Sequence, residues 1–413
     1  MSLQTALTGL MAAQTGIDTT SNNLANADTT AYKNETSLFE SIFPQEGSGN
    51  KVPGIGAEVE GISTNLTQGS LNATGDSLDA GIQGNGYFVV SSNGVQQYTR
   101  DGAFQLNSNG QIETLNGGIV QGYADVNGAL SGSLGAITIN AGSVAATATA
   151  NIGMTSNLNS ADVPVPAGTT FSPSNHSSYN ETTSVVAYDS AGNANHVQLY
   201  FVNNPTTGTE APNWSVYAVP ETANGTQIGS TPTQPLTTLT FTTSGTLASE
   251  SPTSPTLSGV NWGNGSAVSN IAFNFGGTTA MAQNFGVSNL TNDGNTSGTY
   301  SGVSIGTDGT VEASYSNGQT VSVGKIALAT FLNPGSLTPI TGNLYGANGD
   351  SGQAAIGQAG AGQAGTLAGG ELEASNVSTS NMLVSLIQYQ QAYEANTSVI
   401  QTEQQDSQRL LQI

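Results

Sequence analysis

The sequence has no cysteine among its 413 residues. Disulfide bonds, thiolate catalysis and cysteine-ligated zinc are therefore excluded together. Basic residues are almost as scarce, because five lysines and arginines stand against 27 aspartates and glutamates, which gives a formal net charge of −22. Phosphate binding needs a basic surface, so this composition argues against nucleic-acid binding, and anionic lipid surfaces should repel the chain.

Long apolar runs are also missing. No stretch of about eighteen apolar residues occurs, so we predict no insertion into a membrane. The first residues have no basic stretch and their apolar residues are periodic, which argues against a cleavable signal peptide. Glycine is abundant, with 53 residues, and 36% of the chain is hydrophobic. Apolar residues alternate with polar ones over much of the length, which favours short β-strands joined by tight turns over disorder.

The two ends of the chain differ from the middle, because their apolar residues are spaced alternately by three and four. This spacing predicts amphipathic helices with a narrow apolar stripe that must pack against another helix. The stripe residues are Leu3, Leu7, Leu10, Ile17 and Leu24 at one end and Met382, Leu386, Tyr389, Tyr393, Ile400 and Leu410 at the other. Polar residues fill the gaps, namely Gln14 and Ser21 in the first stripe and Asn396, Glu403 and Ser407 in the second. The stripes fit pairing of the two helices within one molecule, as a coiled coil. They also fit packing against the same helices of neighbouring subunits, and both interpretations stay open.

Between the helices we predict nested antiparallel β domains, so the fold is mainly β with long terminal α-helices. The predicted segments are an N-terminal helix (1–30), a connecting arm (31–75), an inner β domain (76–145 and 283–370), an inserted outer β domain (146–282) and a C-terminal helix (371–413). Within the inner domain, Asn93-Gly94, Asn109-Gly110 and Asn116-Gly117 predict type I′ hairpin turns, since Asn-Gly accepts positive φ at both positions.

Two other features of the inner domain have plain structural interpretations. Gly84-Asn85-Gly86 leads into a strand and not into a helix, so it does not predict a phosphate-binding loop. Arg100 is one of the five basic residues, and we expect it to pair with a nearby acid, Asp101 or Asp79.

Nothing in the sequence predicts an enzyme, a cofactor or a metal site. The two histidines, His176 and His196, lie in a loop and at a strand edge, which does not suggest a ligand pair or a general base. Asp293-Gly294-Asn295 and Asp308-Gly309 lack the full spacing of a calcium-binding loop, so we interpret both as turns.

The residues at the end of the first helix carry a longer motif. Asn22-Asn23-Leu24-Ala25-Asn26 is followed by Thr29 and then by Ala31-Tyr32-Lys33. This run resembles the signature of the bacterial flagellar rod and hook proteins, which reads Asn-Asn-Leu-Ala-Asn, a short gap, Thr, one residue and Gly-Phe-Lys. Ala31 stands where the family has glycine, so this turn either does not need a positive φ or tolerates some strain.

Further segments extend the resemblance to most of the chain. Tyr98–Phe104 resembles a run in the inner domain of these proteins, and Leu367–Val377 resembles the run before their last helix. Rod proteins of this type are shorter and lack a large outer domain, so the length favours a hook member of the family.

The resemblance implies a structural subunit that forms a helical homopolymer, a flexible curved tube that acts as a universal joint between rod and filament. It also implies partners, namely the rod and hook–filament junction proteins, a hook cap protein and the type III export apparatus. It places the protein outside the cell, in the flagellum, after export without a cleaved signal peptide. Two alternatives stay open: a distal rod-type axial protein and an extracellular glycan-binding or adhesive β protein.

Overall fold

The computed structural model describes residues 2–43, 54–126, 128–205 and 212–410. The chain divides into two compact units. The terminal unit comprises Met1–Ala141, Ser301–Ser314 and Thr320–Ile413, and the inserted unit comprises Gly142–Tyr300 and Tyr315–Gln319. Terminal helices with nested β structure between them are the fold that the sequence predicts, and this prediction is confirmed.

The helices and strands follow one another along the chain from α1 to α2. The first are α1 (Ser2–Ala25), β1 (Glu35–Ile42), β2 (Gly56–Thr64), β3 (Leu71–Ala73), β4 (Ala80–Gln83), β5 (Tyr87–Ser92), β6 (Val95–Thr99), β7 (Phe104–Leu106), β8 (Ile112–Thr114), β9 (Ile119–Val126), β10 (Ala129–Leu130) and β11 (Gly135–Ala136). Next come β12 (Ser143–Val144), β13 (Asn151–Asn159), β14 (Glu181–Tyr188), β15 (Ala194–Asn203), β16 (Asn213–Glu221), β17 (Thr237–Phe241), β18 (Leu247–Ser251), β19 (Thr256–Val260), β20 (Ser269–Asn274), β21 (Thr279–Met281) and β22 (Gly286–Asn292). The last are β23 (Gly298–Ile305), β24 (Thr310–Tyr315), β25 (Thr320–Thr330), β26 (Thr338–Ile340), β27 (Leu344–Gly346), β28 (Ala355–Gln358), β29 (Thr366–Gly369), β30 (Glu371–Glu373) and α2 (Thr379–Leu410).

The sheet of the terminal unit is antiparallel, with the strand order β24-β25-β9-β5-β6-β27-β26. Successive side chains of a strand point to opposite faces. Phe88 and Val89 are neighbours on β5 and both are fully buried, so both faces of this sheet are covered. Tyr87 and Tyr98 add edge-to-face contacts with Phe331, with ring centroids 5.9 Å and 4.8 Å away. Two pairings join early and late chain segments, β3 with β30 and β4 with β29.

The inserted unit is a sandwich of two five-stranded sheets. One sheet is the antiparallel series β14 to β18, and the other is built around β13, which pairs with β20, β21 and β22. Large apolar side chains from both sheets form one core, including Trp214 and Phe201 from the first sheet and Ile152 and Phe273 from the second. The other face of the first sheet is covered as well, since Phe171 stacks on Tyr217 with ring centroids 4.1 Å apart.

The three predicted type I′ turns differ in outcome. Asn93 and Gly94 have φ of +52° and +79°, so the turn between β5 and β6 has positive φ at both positions, as predicted. The prediction is wrong for Asn109-Gly110 and Asn116-Gly117, where only the glycine has a positive φ. Their loops are longer than two residues, and a longer hairpin loop needs the left-handed conformation at a single position.

The observed boundaries differ from the predicted segments at several points. The first helix ends at Ala25, and the inserted unit runs past residue 282 to Tyr300. The C-terminal helix begins at Thr379 and not at residue 371, because Glu371–Glu373 forms strand β30 against β3.

Candidate functional site: the terminal helix pair and its junction

The helices α1 and α2 pack against each other in antiparallel directions, and small residues of α1 form the contact. A Cβ atom added at Gly16 would lie 2.5 Å from the ring of Tyr389, and one added at Gly9 would lie 2.9 Å from the amide group of Asn396. One further step of seven residues brings Asn23 Nδ2 to within 3.7 Å of Met382 Sδ. The contact therefore follows a seven-residue repeat on both helices, which is the register of a coiled coil.

The predicted apolar stripe of α1 lies beside this contact and not within it. Leu10, Ile17 and Leu24 each follow a contact residue by one position, which turns them about 100° around the helix axis. They are half-buried, whereas Leu3 and Leu7 are 49% and 45% exposed. Gly9 and Gly16 lie in the contact, where the absence of a side chain lets the two backbones approach more closely than leucine would.

Two residues of the predicted α2 stripe contact α1. Met382 and Tyr389 are contact residues, and all the stripe residues whose side chains are described are half-buried, namely Met382, Leu386, Tyr389, Tyr393 and Ile400. The side chain of Leu410 lies outside the described residues. A second apolar face of α2 is exposed, with Leu383 at 48%, Val384 at 56% and Ile387 at 53%.

The β1–β2 hairpin packs on a further face of α1. Thr19 Oγ1 and Ser37 Oγ are 2.8 Å apart in a buried hydrogen bond, and Phe39 meets the ring of Tyr389 edge to face at 6.4 Å. At the other end of the hairpin, a Cβ on Gly56 would lie against the side chain of Thr8. The connecting arm thus fixes α1 on one side while α2 fixes it on another.

The asparagine-rich motif is a folded turn that leads from α1 into β1. Asn23 is its centre, since its side-chain oxygen accepts hydrogen bonds from Tyr32 Oη at 3.1 Å and from the amide of Glu35 at 2.9 Å, while its Nδ2 donates to the carbonyl of Glu35 at 2.6 Å. Asn26 ties the last helical turn, because its Nδ2 donates to Asn22 Oδ1 at 2.8 Å and its Oδ1 accepts from Thr29 Oγ1 at 3.1 Å.

The remaining motif residues differ in their exposure to solvent. Leu24 is half-buried and Ala25, the last residue of α1, is exposed. Burial, and next the nearby carboxylate of Glu35, raise the pKa of Tyr32 to about 12, so its hydroxyl stays a proton donor.

Ala31 adopts a left-handed conformation, with φ of +57°. The turn therefore does need a positive φ, and Ala31 tolerates the backbone strain that this conformation causes. The Ala31 amide donates to the carbonyl of Glu373 at 2.7 Å, and the Asn376 amide donates to the carbonyl of Tyr32 at 3.3 Å. Asn376 Oδ1 also accepts from the amide of Asn34 at 2.7 Å. The strained turn is thus held by the segment that precedes α2.

A buried group of three charges lies where the turn after α1 meets the segment before α2, a place that we call the junction. Glu373 accepts from Lys33 Nζ at 2.6 Å and from Arg100 Nε at 2.9 Å, and the side chain of Glu373 has no solvent exposure. We call Lys33, Arg100 and Glu373 the Glu373 ion cluster. The expected partners of Arg100, Asp101 and Asp79, are wrong, because the fold brings a carboxylate from 273 residues further along the chain to this position.

The neighbours of the cluster complete its hydrogen bonds. Arg100 donates to the carbonyls of Gly84 and Gly86 at 3.0 Å each, so the Gly84–Gly86 bend holds a guanidinium. Lys33 Nζ also donates to the carbonyl of Thr67 at 2.9 Å. Burial lowers the pKa of Lys33, and the hydrogen bond to Glu373 acts in the opposite direction.

The other candidate residues have local structural partners. His176 Nδ1 lies 2.6 Å from Tyr179 Oη, and His196 Nδ1 lies 3.4 Å from Ser184 Oγ. Asp308 pairs with Lys325. Among the described residues, no group of three or more His, Cys, Asp or Glu could hold a metal ion, and no described helix is long and apolar enough to cross a membrane.

Four family models match successive parts of the chain. The flagella basal body rod protein model matches residues 3–33, and the flagellar hook protein FlgE/F/G D1 domain model matches residues 81–156. The flagellar basal body protein FlaE D2 domain model matches residues 157–295. The flagellar basal body rod FlgEFG protein C-terminal model matches residues 368–413. The motif turn, the Glu373 ion cluster and both helices lie in matched segments.

Known relatives match nearly the full length. The flagellar hook protein FlgE of Escherichia coli is 37% identical over 413 residues, which cover 98% of each chain. This chain belongs to the flagellar hook protein family. The family member of Brucella suis is 31% identical over 97% of this chain and 95% of its own, and that of Borreliella burgdorferi is 27% identical over 100% and 99%. The resemblance drawn from the motif is therefore confirmed.

A solved structure supports the fold of this family member. The crystal structure of the Helicobacter pylori flagellar hook protein FlgE2 matches with a TM-score of 0.51 at 15% identity, covering 68% of this chain and 94% of that chain. At this identity the match concerns the fold alone.

Proposed function

We propose that this chain is a structural subunit of the bacterial flagellar hook. The observation that carries the proposal is that α1 and α2 pair closely through small residues and still leave apolar faces uncovered, at Leu3 and Leu7 on one helix and at Leu383, Val384 and Ile387 on the other. Exposed apolar faces of this kind are typical of surfaces that become buried in an assembly. The relatives that match along the whole chain carry the name flagellar hook protein.

In the proposed mechanism, copies of the chain contact one another through these faces. Contacts between unlike surfaces do not close on themselves and so build an open helical polymer. The polymer is a flexible curved tube that transmits torque from rod to filament as a universal joint. The proposed contact residues are Leu3 and Leu7 of the predicted α1 stripe and, on α2, the exposed face at Leu383, Val384 and Ile387.

Further partners and the location belong to the same proposal. The subunit contacts rod proteins and hook–filament junction proteins at the ends of the tube, a hook cap protein during assembly and the type III export apparatus during secretion. It acts outside the cell, in the flagellum, after export without a cleaved signal peptide. It has no catalytic role. The alternatives of a distal rod protein and a glycan-binding protein are not favoured, because hook proteins match the inserted unit as well as both ends.

The test is deletion of residues 379–413, which removes α2, with electron microscopy of the concentrated product and of the full chain. Both tryptophans, Trp214 and Trp262, are buried in the inserted unit, so their fluorescence reports whether that unit stays folded. We expect the full chain to form tubes and the truncated chain to stay soluble, with native tryptophan fluorescence and no tubes. Tubes from the truncated chain would contradict the proposal.

A further inference from the structure

The Glu373 ion cluster concentrates positive charge in a chain that has little of it. Two of the five basic residues, Lys33 and Arg100, converge on one carboxylate, and their side chains are 2% and 7% exposed. Moving charges out of water is costly, and breaking such a group by removing one partner costs far more than an exposed ion pair is worth. Loss of the one carboxylate would leave two buried cations without a counter-charge.

The three members come from distant parts of the chain. Lys33 follows the motif turn after α1, Arg100 follows β6, and Glu373 ends β30 shortly before α2. Lys33 and Glu373 are separated by 340 positions. The two cations therefore obtain their shared carboxylate only from a segment at the far end of the chain.

Glu373 uses both its side chain and its backbone there. Its Oε1 accepts from the amide of Gly69 at 2.9 Å, in addition to Lys33. Its carbonyl accepts the amide of Ala31, the strained left-handed residue of the motif turn. A single residue thus joins the arm, the β sheet and the turn that positions α1.

We propose that Glu373 is the positioning residue that closes the terminal unit. Its charge compensates Lys33 and Arg100. Its ion pairs and backbone hydrogen bond fix the ends of α1 and α2 that lie at the junction. When Glu373 is absent or uncharged, the junction opens so that the two cations can be hydrated. The consequence for assembly rests on the proposed function, since an open junction leaves the helix pair without the fixed geometry that a tube requires.

The first experiment compares Glu373→Gln with Glu371→Gln, a matched change two residues earlier on the same strand and outside the cluster. Amide hydrogen exchange at Ala31 and Asn376 reports opening of the junction, and tryptophan fluorescence reports the inserted unit. We expect exchange in Glu373→Gln to rise about a hundredfold or more, with the tryptophan unfolding transition unchanged. Glu371→Gln should stay within about threefold of the unmodified chain. Equal exchange in the two variants overturns the proposal.

A second variant separates uncompensated charge from lost packing. Lys33→Met added to Glu373→Gln removes one of the two uncompensated cations and keeps an apolar stem in its place. We expect exchange at Ala31 to slow at least about tenfold relative to Glu373→Gln alone. Exchange that is equal or faster in the double variant overturns the proposal. If exchange in Glu373→Gln alone is too fast to time, the double variant must still show measurable protection at Ala31, and its absence overturns the proposal.

This inference and the proposed function fail separately. If the full chain forms no tubes under any condition, the hook proposal fails while the exchange result on the monomer still stands. If Glu373→Gln keeps the exchange rates of the unmodified chain, the role of Glu373 fails whether or not tubes form. If both hold, Glu373→Gln should form no tubes at concentrations where Glu371→Gln does.

Discussion

Large apolar side chains fill the inserted unit, whereas α1 meets α2 through glycines. In the inserted unit, Trp214, Phe201 and Leu239 have no solvent exposure. On the helix pair, Gly9 and Gly16 face α2 while Leu3 and Leu383 remain about half exposed. Burial of apolar area is the main stabilising term in folding, so the first arrangement is complete in one chain and the second is not.

The difference separates two uses of apolar residues. A core made of large side chains makes a domain that needs no partner. A close helix contact made of small residues, with its leucines turned aside, fixes the backbone and keeps apolar surface available for other copies. The helix pair is therefore folded but incomplete, which agrees with a subunit of a polymer.

The largest expected contrast comes from a leucine-to-alanine substitution, made once in the core of the inserted unit and once on the exposed face of α2. Leu239→Ala removes a fully buried side chain and should lower the stability of the inserted unit by about 2–5 kcal/mol. Leu383→Ala removes a half-exposed side chain and should change the stability of the monomer by less than about 0.5 kcal/mol while reducing tube formation. Urea unfolding followed by tryptophan fluorescence and by helical circular dichroism checks the stabilities, and sedimentation of tubes checks assembly. Equal stability losses would remove the distinction between the two regions.

One pH effect should act on the inserted unit through Asp189. Burial pushes the pKa of Asp189 up, but hydrogen bonds from Asn193, Asn264 and backbone amides outweigh it and lower the pKa to about 2. The ionised carboxylate thus stabilises the folded unit by about 1–2 kcal/mol above pH 3.8, and this is lost as the pH falls toward 2.

Asp189→Asn should therefore lower the tryptophan unfolding midpoint at neutral pH and flatten its decline between these two pH values. The matched control is Asp308→Asn, which breaks an exposed pair with Lys325 in the terminal unit. If Asp308→Asn moves the tryptophan transition as much as Asp189→Asn does, the assignment of this effect to Asp189 is wrong.

A smaller effect tests how close the helices are. Gly16→Ala places a methyl group 2.5 Å from the rigid ring of Tyr389 and should destabilise the helix pair by about 1–3 kcal/mol. Gly9→Ala has the same gain in helix propensity but meets the flexible amide of Asn396, so we expect a change between zero and a gain of about 1 kcal/mol. Thermal unfolding followed by far-ultraviolet circular dichroism distinguishes them. A stabilising Gly16→Ala would show that the small residues are not needed for the contact.

The smallest effect concerns the strained turn. Ala31→Gly relieves a left-handed alanine and should stabilise the terminal unit by about 0.5–1 kcal/mol. Ala27→Gly, at a position where φ is negative, should destabilise it by a similar amount. Hydrogen exchange at the amide of Asn376 measures both. A destabilising Ala31→Gly would mean that the methyl group contributes more by packing than it costs in strain.

Much of this architecture follows from local patterns. Periodicity predicts both helices, and the Asn-Gly pair at Asn93 predicts its turn correctly. The asparagine-rich motif predicts the family, and many of its hydrogen bonds join nearby positions: Asn26 bonds Asn22, four positions earlier, and Asn23 bonds Glu35, 12 positions later. A sequence pattern predicts the structure correctly where the residues that contact one another are close in the sequence.

The rest depends on contacts between distant residues. Asp101 is the neighbour of Arg100 in the sequence, and nothing local indicates Glu373, which the fold brings from the other end of the chain. The face of α1 that meets α2 is a different case. Gly9 and Gly16, seven positions apart in a helix, are visible in the sequence, but a rule based on apolar residues selects Leu10 and Ile17 beside them.

The most direct test of the hook proposal is electron microscopy of the concentrated, purified full chain, with enough salt to screen the repulsion between copies that each have a net charge of −22. We expect curved hollow tubes in which α1 and α2 line the centre and the exposed faces at Leu3 and Leu383 are buried between copies. Persistent monomers at every salt concentration, or tubes that leave both faces exposed, would contradict it.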